Sequence, residues 1–365
     1  MDKYVESVVG EIRSRAIRLD VRELRSVYLG GGTPSLLGPA GVAELLGRVG
    51  RESGAGDFST LMWKDVEVTL EANPEDVTAD AVRAWRLAGV NRVSLGVQSF
   101  DSAVLGWMHR GHDARRTTES MEVLRGEGID DVSIDLIAAV PESLGRDWGR
   151  DLESAIGLGP THLSVYGLTV EPKTPLGRWA ARGDVEEAPE DRQAADFLRA
   201  HERLTGAGYD HYEVSNYARP SYRARHNSAY WTRVPYLGLG PSAHGFDGVT
   251  RRWNVAAYAA WSEAAGRDPV GGMETLGEAE RVAEAVYLGL RTTDGLSVYQ
   301  NDISVVTPWI GEGWAILRGA SAPDVEVSGP GVNSSAVVGT LSLTPEGWLR
   351  LDALAAALTS ARSRS

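Results

Sequence analysis

The sequence predicts an α/β protein in which parallel strands, joined by right-handed helical crossovers, form a sheet or barrel covered by helices. Two observations support this prediction. Five strand-like segments alternate with helical segments over about 170 residues, with short loops between them, an order that demands parallel strands with helical crossovers. Polar residues recur where the predicted strands end, and parallel α/β folds carry their active sites on that side.

The individual elements follow from local periodicity. Apolar residues at helical spacing, with charges between them, predict an amphipathic helix within residues 1–25. Alternating or continuous apolar runs predict strands at residues 26–29, 66–71, 92–97, 132–137 and 162–168, and a short one near 209–214. Helical spacing predicts helices at residues 41–50, 79–88, 115–126, 148–156 and 191–207.

The pattern changes near residue 275, where a smaller second domain is predicted. Residues 278–290 have helical spacing, residues 320–338 are rich in glycine, serine and proline, and residues 339–352 predict a hairpin arm running into a capped helix. These elements predict a small domain of winged-helix type. A nucleic-acid partner is not expected, because no basic cluster marks a recognition helix and the net charge is −13.

A glycine turn, Gly30-Gly31-Gly32-Thr33, follows the first predicted strand directly. Glycine presents backbone N–H groups with no Cβ in the way, so this turn suits a ligand with a carboxylate, amine or phosphate group. The alternative is a tight strand-to-helix turn that binds nothing. The other polar residues in or just after the strands are Glu71, Gln98, Asp135 and Thr169. Hydrogen-bonding groups at five consecutive strands favour a shared ligand.

Asp135 is notable because it lies inside an otherwise apolar predicted strand. A buried carboxylate must be paired, hydrogen-bonded or protonated through a raised pKa. Two interpretations remain open for it, a structural anchor for a neighbouring loop and a ligand contact.

A second unusual stretch places His226, Asn227, Tyr230 and Trp231 close together, with His244 in a glycine-rich loop shortly after. A histidine beside flat aromatic rings suits a planar cofactor such as a porphyrin, either as axial ligand or by stacking. The alternative is that the aromatic rings pack one end of the barrel while backbone groups satisfy His226.

The composition excludes several classes of site. The chain contains no cysteine, which removes disulfides, thiolate nucleophiles, cysteine-based zinc sites and protein-ligated iron–sulfur clusters. No apolar run approaches the roughly 18 residues that span a bilayer, and the first residues have no signal pattern. We therefore expect a cytoplasmic protein.

Together, the motifs at residues 28–35, 71–74 and 89–100 closely resemble the oxygen-independent coproporphyrinogen III oxidase-like family of radical S-adenosylmethionine (SAM) proteins. Within that family, His226-Asn227 with Tyr230-Trp231, and the glycine loop at residues 238–245, resemble the heme chaperone branch. The likeness extends from about residue 4 to residue 358, in the family's order and spacing.

The resemblance implies a partial (β/α)6 TIM-like radical SAM barrel over residues 1–172, a barrel extension with the heme-associated segment over 173–270, and a winged-helix-like domain over 271–365. It implies SAM, heme and a [4Fe–4S] cluster as cofactors. The residues that match the family's SAM-contact positions are Gly31, Gly32, Thr33, Glu71, Gln98, Arg110, Asp135 and Thr169, and those of its heme segment are His226, Asn227, Tyr230 and Trp231.

One departure from the family is large. The family's three cluster cysteines, and the first barrel strand before them, have no counterpart in this chain. Two explanations compete: a start placed too far downstream, or a paralogue that lacks the cluster. We expect the first, because the SAM-facing positions are intact, and we expect the chain as it stands to carry no cluster. Ala138-Ala139-Val140 and Met108-His109 are smaller departures beside the SAM positions.

The function that the resemblance implies is heme binding and transfer of heme to an acceptor protein, for which a membrane-associated protein is one candidate. The alternatives are a radical enzyme that decarboxylates coproporphyrinogen III in porphyrin biosynthesis, and a cluster-less SAM-binding paralogue. The decarboxylation requires reductive cleavage of cluster-bound SAM, and this sequence supplies no thiolate for the cluster.

Overall fold

The computed structural model describes residues 2–15, 17, 24–56, 65–172, 174–319 and 336–364. The chain forms two compact units. The first contains Met1–Asp210, Tyr217–Ser228 and Pro235–Glu274, and the second contains His211–Asn216, Ala229–Val234 and Thr275–Ser365. The predicted boundary at residue 271 lies close to the start of the last of these segments. The predicted boundary at residue 172 does not coincide with a division between units.

The helices agree closely with the predicted ones where sequence periodicity is strong. Up to residue 275 they are α1 (Asp2–Ser14), α2 (Gly38–Ser53), α3 (Ala79–Leu87), α4 (Ser102–Trp107), α5 (Ala114–Gly126), α6 (Trp148–Leu158), α7 (Pro175–Ala181), α8 (Glu190–Gly206), α9 (Arg225–Trp231) and α10 (Tyr258–Ala264). Across all described residues, no helix combines the length and apolar character needed to cross a membrane.

Parallel strands form the main sheet, as the sequence predicts. Its strands are β1 (Ser26–Leu29), β2 (Glu67–Ala72), β3 (Arg92–Gln98), β4 (Asp131–Ala138), β5 (His162–Gly167), β6 (Asp210–Glu213) and β7 (Asn216–Ala218). The spatial order is β1-β2-β3-β4-β5-β7-β6, and each pair from β1 to β5 is parallel. A three-stranded sheet, ordered β10-β9-β8, contains β8 (His244–Phe246), β9 (Thr250–Asn254) and β10 (Val270–Thr275).

The two faces of the parallel sheet differ in chemistry. Side chains alternate between the faces of a strand. On one face, strand residues such as Leu70, Val93 and Ile134 are fully buried in the same apolar core as Leu46 of α2 and Trp85 of α3. The other positions are mostly polar, and several of them, such as Glu71, Ser94 and Asp135, line a cleft. The apolar face is therefore covered by helices, while part of the polar face is available to a ligand.

The second unit combines helices with an antiparallel sheet, as the winged-helix-like prediction requires. Its elements are α11 (Glu278–Leu290), β11 (Leu296–Tyr299), α12 (Ile303–Gly311), β12 (Ala315–Arg318), β13 (Val337–Leu343), α13 (Pro345–Trp348) and α14 (Leu351–Arg362). The sheet order is β11-β13-β12. The indole N–H of Trp348 donates to the carbonyl of Leu290 at 3.0 Å, which ties α13 to the end of α11. Most of the predicted loop at residues 320–338 lies outside the described residues.

Candidate cofactor-binding cleft

A cleft of about 550 Å³ opens at the carboxyl ends of the parallel strands. This volume is typical of small-molecule sites. Of the residues predicted to contact SAM, the cleft is lined by Gly32, Thr33, Glu71, Gln98, Arg110, Asp135 and Thr169. Gly31 does not line it, but its backbone N–H donates to Oε2 of Glu71 at 3.2 Å. The structure thus brings the whole predicted set to one place, and SAM binding there stays a prediction.

The glycine turn is shaped by the side chains beneath it. A Cβ on Gly30 would lie 2.6 Å from Oε1 of Glu71 and closer still to the ring of Tyr28. Gly31 has a φ of +83°, in the left-handed region that favours glycine. Gly30 is therefore required by close approach and Gly31 by backbone conformation.

Glu71 is held between the turn and Tyr28. The Tyr28 hydroxyl donates to Oε1 of Glu71 at 2.7 Å. Burial raises the pKa of Glu71, and the nearby Asp135 carboxyl raises it further, while the bonds from Tyr28 and Gly31 lower it. Burial also raises the pKa of Tyr28, with a further contribution from Glu71. Tyr28 is therefore the proton donor in this pair, and Glu71 is oriented towards the cleft.

Asp135 joins three strands through serine hydroxyls. The hydroxyl of Ser94 on β3 donates to both carboxylate oxygens at 3.0 and 3.1 Å, and that of Ser133 on β4 donates to Oδ1 at 3.3 Å. Burial raises the pKa of Asp135, while hydrogen bonds, foremost that of Ser164 on β5, lower it. Asp135 is thus a structural anchor, and it also lines the cleft.

The rim of the cleft combines an amide, a cation and a hydroxyl. Gln98 has a φ of +67°, uncommon for a residue with a Cβ. Arg110 donates from Nη1 to Oδ1 of Asn73 at 3.0 Å, and burial lowers the pKa of its guanidinium. Thr169 is exposed, two residues after the end of β5. These groups can bind the polar ends of a ligand whose centre lies near Glu71 and Asp135.

Several lining residues were not predicted from the sequence: Tyr28, Arg92, Ser94, Ser164 and Tyr166. All of them occupy inward positions of β1, β3 and β5. Polar and apolar residues alternate along these strands, and that alternation indicates an inner polar face. Such a strand is easily read as an apolar strand that contains a single polar residue. Arg92 is only 2% exposed, and its Nε has no hydrogen-bond partner among the described residues. Its nearest carboxylate oxygen, on Asp131, lies 3.8 Å away.

His226 lies in the first turn of α9, a helix that the sequence did not predict. The Glu67 carboxylate accepts hydrogen bonds from the backbone N–H groups of Arg225 and His226 at 2.8 and 3.0 Å, a favourable place for a negative charge. The His226 ring stacks on Tyr28 with the centroids 4.6 Å apart, and its Nδ1 lies 3.0 Å from the hydroxyl of Ser26. Burial lowers the pKa of His226 to about 4.

The other members of the predicted heme segment have different surroundings. Asn227 lines the cleft. Tyr230 and Trp231 belong to the second unit, where the guanidinium of Arg291 lies 4.3 Å from the Trp231 ring. His244, the competing ligand, is exposed, and its ring lies 5.9 Å from that of Trp253. His226 and Asn227 are thus associated with the cleft, and Tyr230 and Trp231 with the second unit.

The polar groups that line the cleft fit SAM. Carboxylates suit ribose hydroxyls and a sulfonium cation, and an arginine suits the methionyl carboxylate. The residues do not fit an iron–sulfur cluster, because the chain has no cysteine and the part that the structure describes contains no group of three His, Asp or Glu side chains placed to hold a metal ion.

The chain is similar to known proteins of the radical SAM superfamily. The radical SAM superfamily model matches residues 1–154. The heme chaperone HemW of Synechocystis sp. is 35% identical over 300 residues, which cover 81% of this chain and 70% of that protein. HemW of Mycobacterium tuberculosis is 38% identical over 297 residues, which cover 81% and 74%.

A solved structure shows the same fold. Coproporphyrinogen III oxidase (HemN) from Escherichia coli, a radical SAM enzyme, superposes with a TM-score of 0.73 over 98% of this chain and 83% of that one, at 19% identity. The prediction of a partial radical SAM barrel is confirmed. At 35–38% identity over four-fifths of its length, the chain belongs to the HemW family of the radical SAM superfamily.

Proposed function

We propose that this protein is a heme chaperone, which binds heme and passes it to an acceptor protein. The observation that carries the proposal is its identity of 35–38%, over 81% of the chain, to proteins named heme chaperone HemW. Coproporphyrinogen III oxidase-like activity is the alternative, but the relative that suggests it is only 19% identical, and similarity at that level carries the fold alone.

The cleft supports SAM as an auxiliary ligand. Glu71 and Asp135 provide carboxylates on the inner face of the sheet, and Arg110 provides a cation at the rim. The carboxylate of the methionyl part of SAM would pair with Arg110. The ammonium group of the same methionyl part would meet carbonyl groups of the glycine turn. Gln98 and Thr169 would complete the site through an amide and backbone contacts.

His226 supports heme binding through its protonation state. A histidine binds heme iron as the neutral imidazole, and burial keeps His226 neutral at pH 7 by lowering its pKa to about 4. The Ser26 hydroxyl at Nδ1 fixes the ring orientation, as partners of the second ring nitrogen do in metal sites. These features make His226 a better candidate than His244, which is exposed.

Heme titration of the folded protein tests the proposal. We expect the wild type and His244→Ala to bind heme with the same Soret spectrum, and His226→Ala to bind at least about tenfold more weakly, because an axial bond is lost. Circular dichroism confirms that each variant is folded. Equal affinity and an unchanged Soret spectrum in His226→Ala would show that His226 is not the ligand.

Transfer is tested separately from binding. Heme-loaded protein is mixed with an apo-heme protein as acceptor, in a soluble and a membrane-bound form, and the two are separated. Heme recovered on the acceptor faster than free heme reaches it supports the chaperone function. Heme that stays with the first protein, or moves only at the rate of free dissociation, contradicts it.

A further inference from the structure

We propose that His226 is a positioning residue of the SAM cleft: through Tyr28 it holds Glu71, and through Glu71 the glycine turn. This role goes beyond heme binding and concerns only contacts within the first unit. It follows from three consecutive contacts.

The first contact fixes the position of the His226 backbone. Glu67 lies on β2, four residues before Glu71, so both side chains project from the same face of that strand. Its carboxylate accepts the N–H groups of Arg225 and His226 at 2.8 and 3.0 Å. The start of α9 is thereby held against the strand that carries Glu71.

The second contact fixes the Tyr28 ring. Tyr28 is paired with Thr69 in the parallel register of β1 and β2, which places it between Glu67 and Glu71 along the sheet. The His226 ring covers it at 4.6 Å with an angle of 14° between the planes. Because Ser26 lies 3.0 Å from Nδ1 of His226, the covering ring is itself oriented by β1.

The third contact transmits this position to the cleft. The Tyr28 hydroxyl donates to Oε1 of Glu71 at 2.7 Å, and Oε2 of Glu71 accepts the N–H of Gly31 at 3.2 Å. Glu71 therefore connects the Tyr28 ring, which His226 covers, with the glycine turn. Without the stacked ring, Tyr28 gains freedom to rotate, and both bonds to Glu71 weaken.

Amide hydrogen exchange of the glycine turn, at residues 30–35, tests this chain of contacts in the ligand-free protein. We expect His226→Ala and Tyr28→Phe each to raise exchange there by about threefold to tenfold, the range given by the loss of one hydrogen bond. The double variant should exchange no faster than the faster single variant, because both substitutions break the same chain. His226→Phe keeps a flat ring over Tyr28 and should stay close to wild type.

Two results would overturn the proposal. One is wild-type exchange of the turn in either folded His226→Ala or Tyr28→Phe. If the first variant does not fold, wild-type exchange in the second still contradicts the proposal, because the chain of contacts passes through the Tyr28 hydroxyl. The other is full additivity in the double variant. His244→Ala is the control, since that exposed ring has no contact with the turn. His226→Phe also separates this role from heme ligation, because it retains the stack and cannot bind iron.

Discussion

At the scale of single residues, Asp135 is a carboxyl group whose ionised form is disfavoured by burial. Its bonds to hydroxyls on β3 and β4 offset part of that cost. A carboxylate kept under such conditions is available to a cationic ligand at short range, where the low dielectric strengthens the attraction.

Asp135→Asn should separate binding from stability. The amide keeps the shape and one acceptor oxygen, so we expect the free energy of unfolding to change by less than about 1 kcal/mol. SAM affinity should fall about tenfold or more, because a carboxylate charge that would attract the sulfonium cation is lost. Calorimetry and denaturant unfolding measure the two effects.

The control for that substitution is Asp131→Asn. Asp131 also lies on β4, and burial raises its pKa as well, but it does not line the cleft. Equal losses of SAM affinity in the two variants would contradict a direct role for Asp135.

Gly30→Ala should destabilise the protein by about 1–3 kcal/mol, the usual cost of forcing a methyl group into a packed site. The new Cβ would meet both Glu71 and Tyr28. Gly32→Ala is the matched control, because its Cβ would have no atom within 4 Å. Urea unfolding of the two variants measures the difference. Equal stability would indicate that Tyr28 and Glu71 can move aside without cost.

At the scale of elements, the strands were predictable, and the polar residues of their inner faces were predictable only in part. β1 has the predicted bounds, Ser26–Leu29, and β4 differs from its prediction by one residue at each end. On β4, Ser133 alternates with the buried residues Val132 and Ile134, but a short hydroxyl side chain weakens the contrast between the two faces. Asp135 therefore looked exceptional in the sequence, although it is one of several polar residues on the inner face of the sheet.

Helix α9 could not be predicted because its stability comes from elsewhere in the chain. Histidine, asparagine, tyrosine and tryptophan have modest helix propensity, and seven residues are too few for an isolated helix. Its first turn is held by Glu67, 158 residues earlier in the chain. Only the tertiary structure reveals that partner.

Glu67→Ala should therefore cost about 1–2 kcal/mol, the upper part of the range for losing a helix cap, because Glu67 is only 7% exposed. Glu190→Ala, at the exposed first turn of α8, is the control and should change stability by less than about 0.5 kcal/mol. Thermal unfolding of both variants tests this. A Glu67→Ala protein as stable as wild type would show that α9 does not depend on that carboxylate.

At the scale of the whole molecule, the stability of the fold should depend on pH through His226. Its pKa is about 4 in the folded protein against an ordinary value of 6.5. Between those values the unfolded chain binds a proton that the folded chain does not, so stability falls as the pH falls through this window.

We expect the wild type to lose about 1–2 kcal/mol more than His226→Gln between pH 7 and pH 5. Denaturant unfolding at the two pH values gives the difference for each protein. Because other groups titrate equally in both, parallel pH profiles would show that His226 is protonated as easily in the folded state as in the unfolded one.

The sequence predicted those parts of the fold that contain recognisable motifs or long periodic segments. The parallel sheet and α11, predicted at its observed bounds of Glu278–Leu290, are examples. The sheet of β8, β9 and β10 was not predicted, because its strands are short and partly exposed. Its pairing depends on contacts between strands rather than on the local sequence.

The pair of acids in the cleft has a thermodynamic consequence. Burial raises the pKa of both Glu71 and Asp135, and the nearby Asp135 carboxyl raises that of Glu71 further. A cation entering between them stabilises their ionised forms and so lowers both pKa values. Uptake of a positively charged ligand is then coupled to release of protons into the solvent, and acidification acts as a competitor of that ligand without occupying its place.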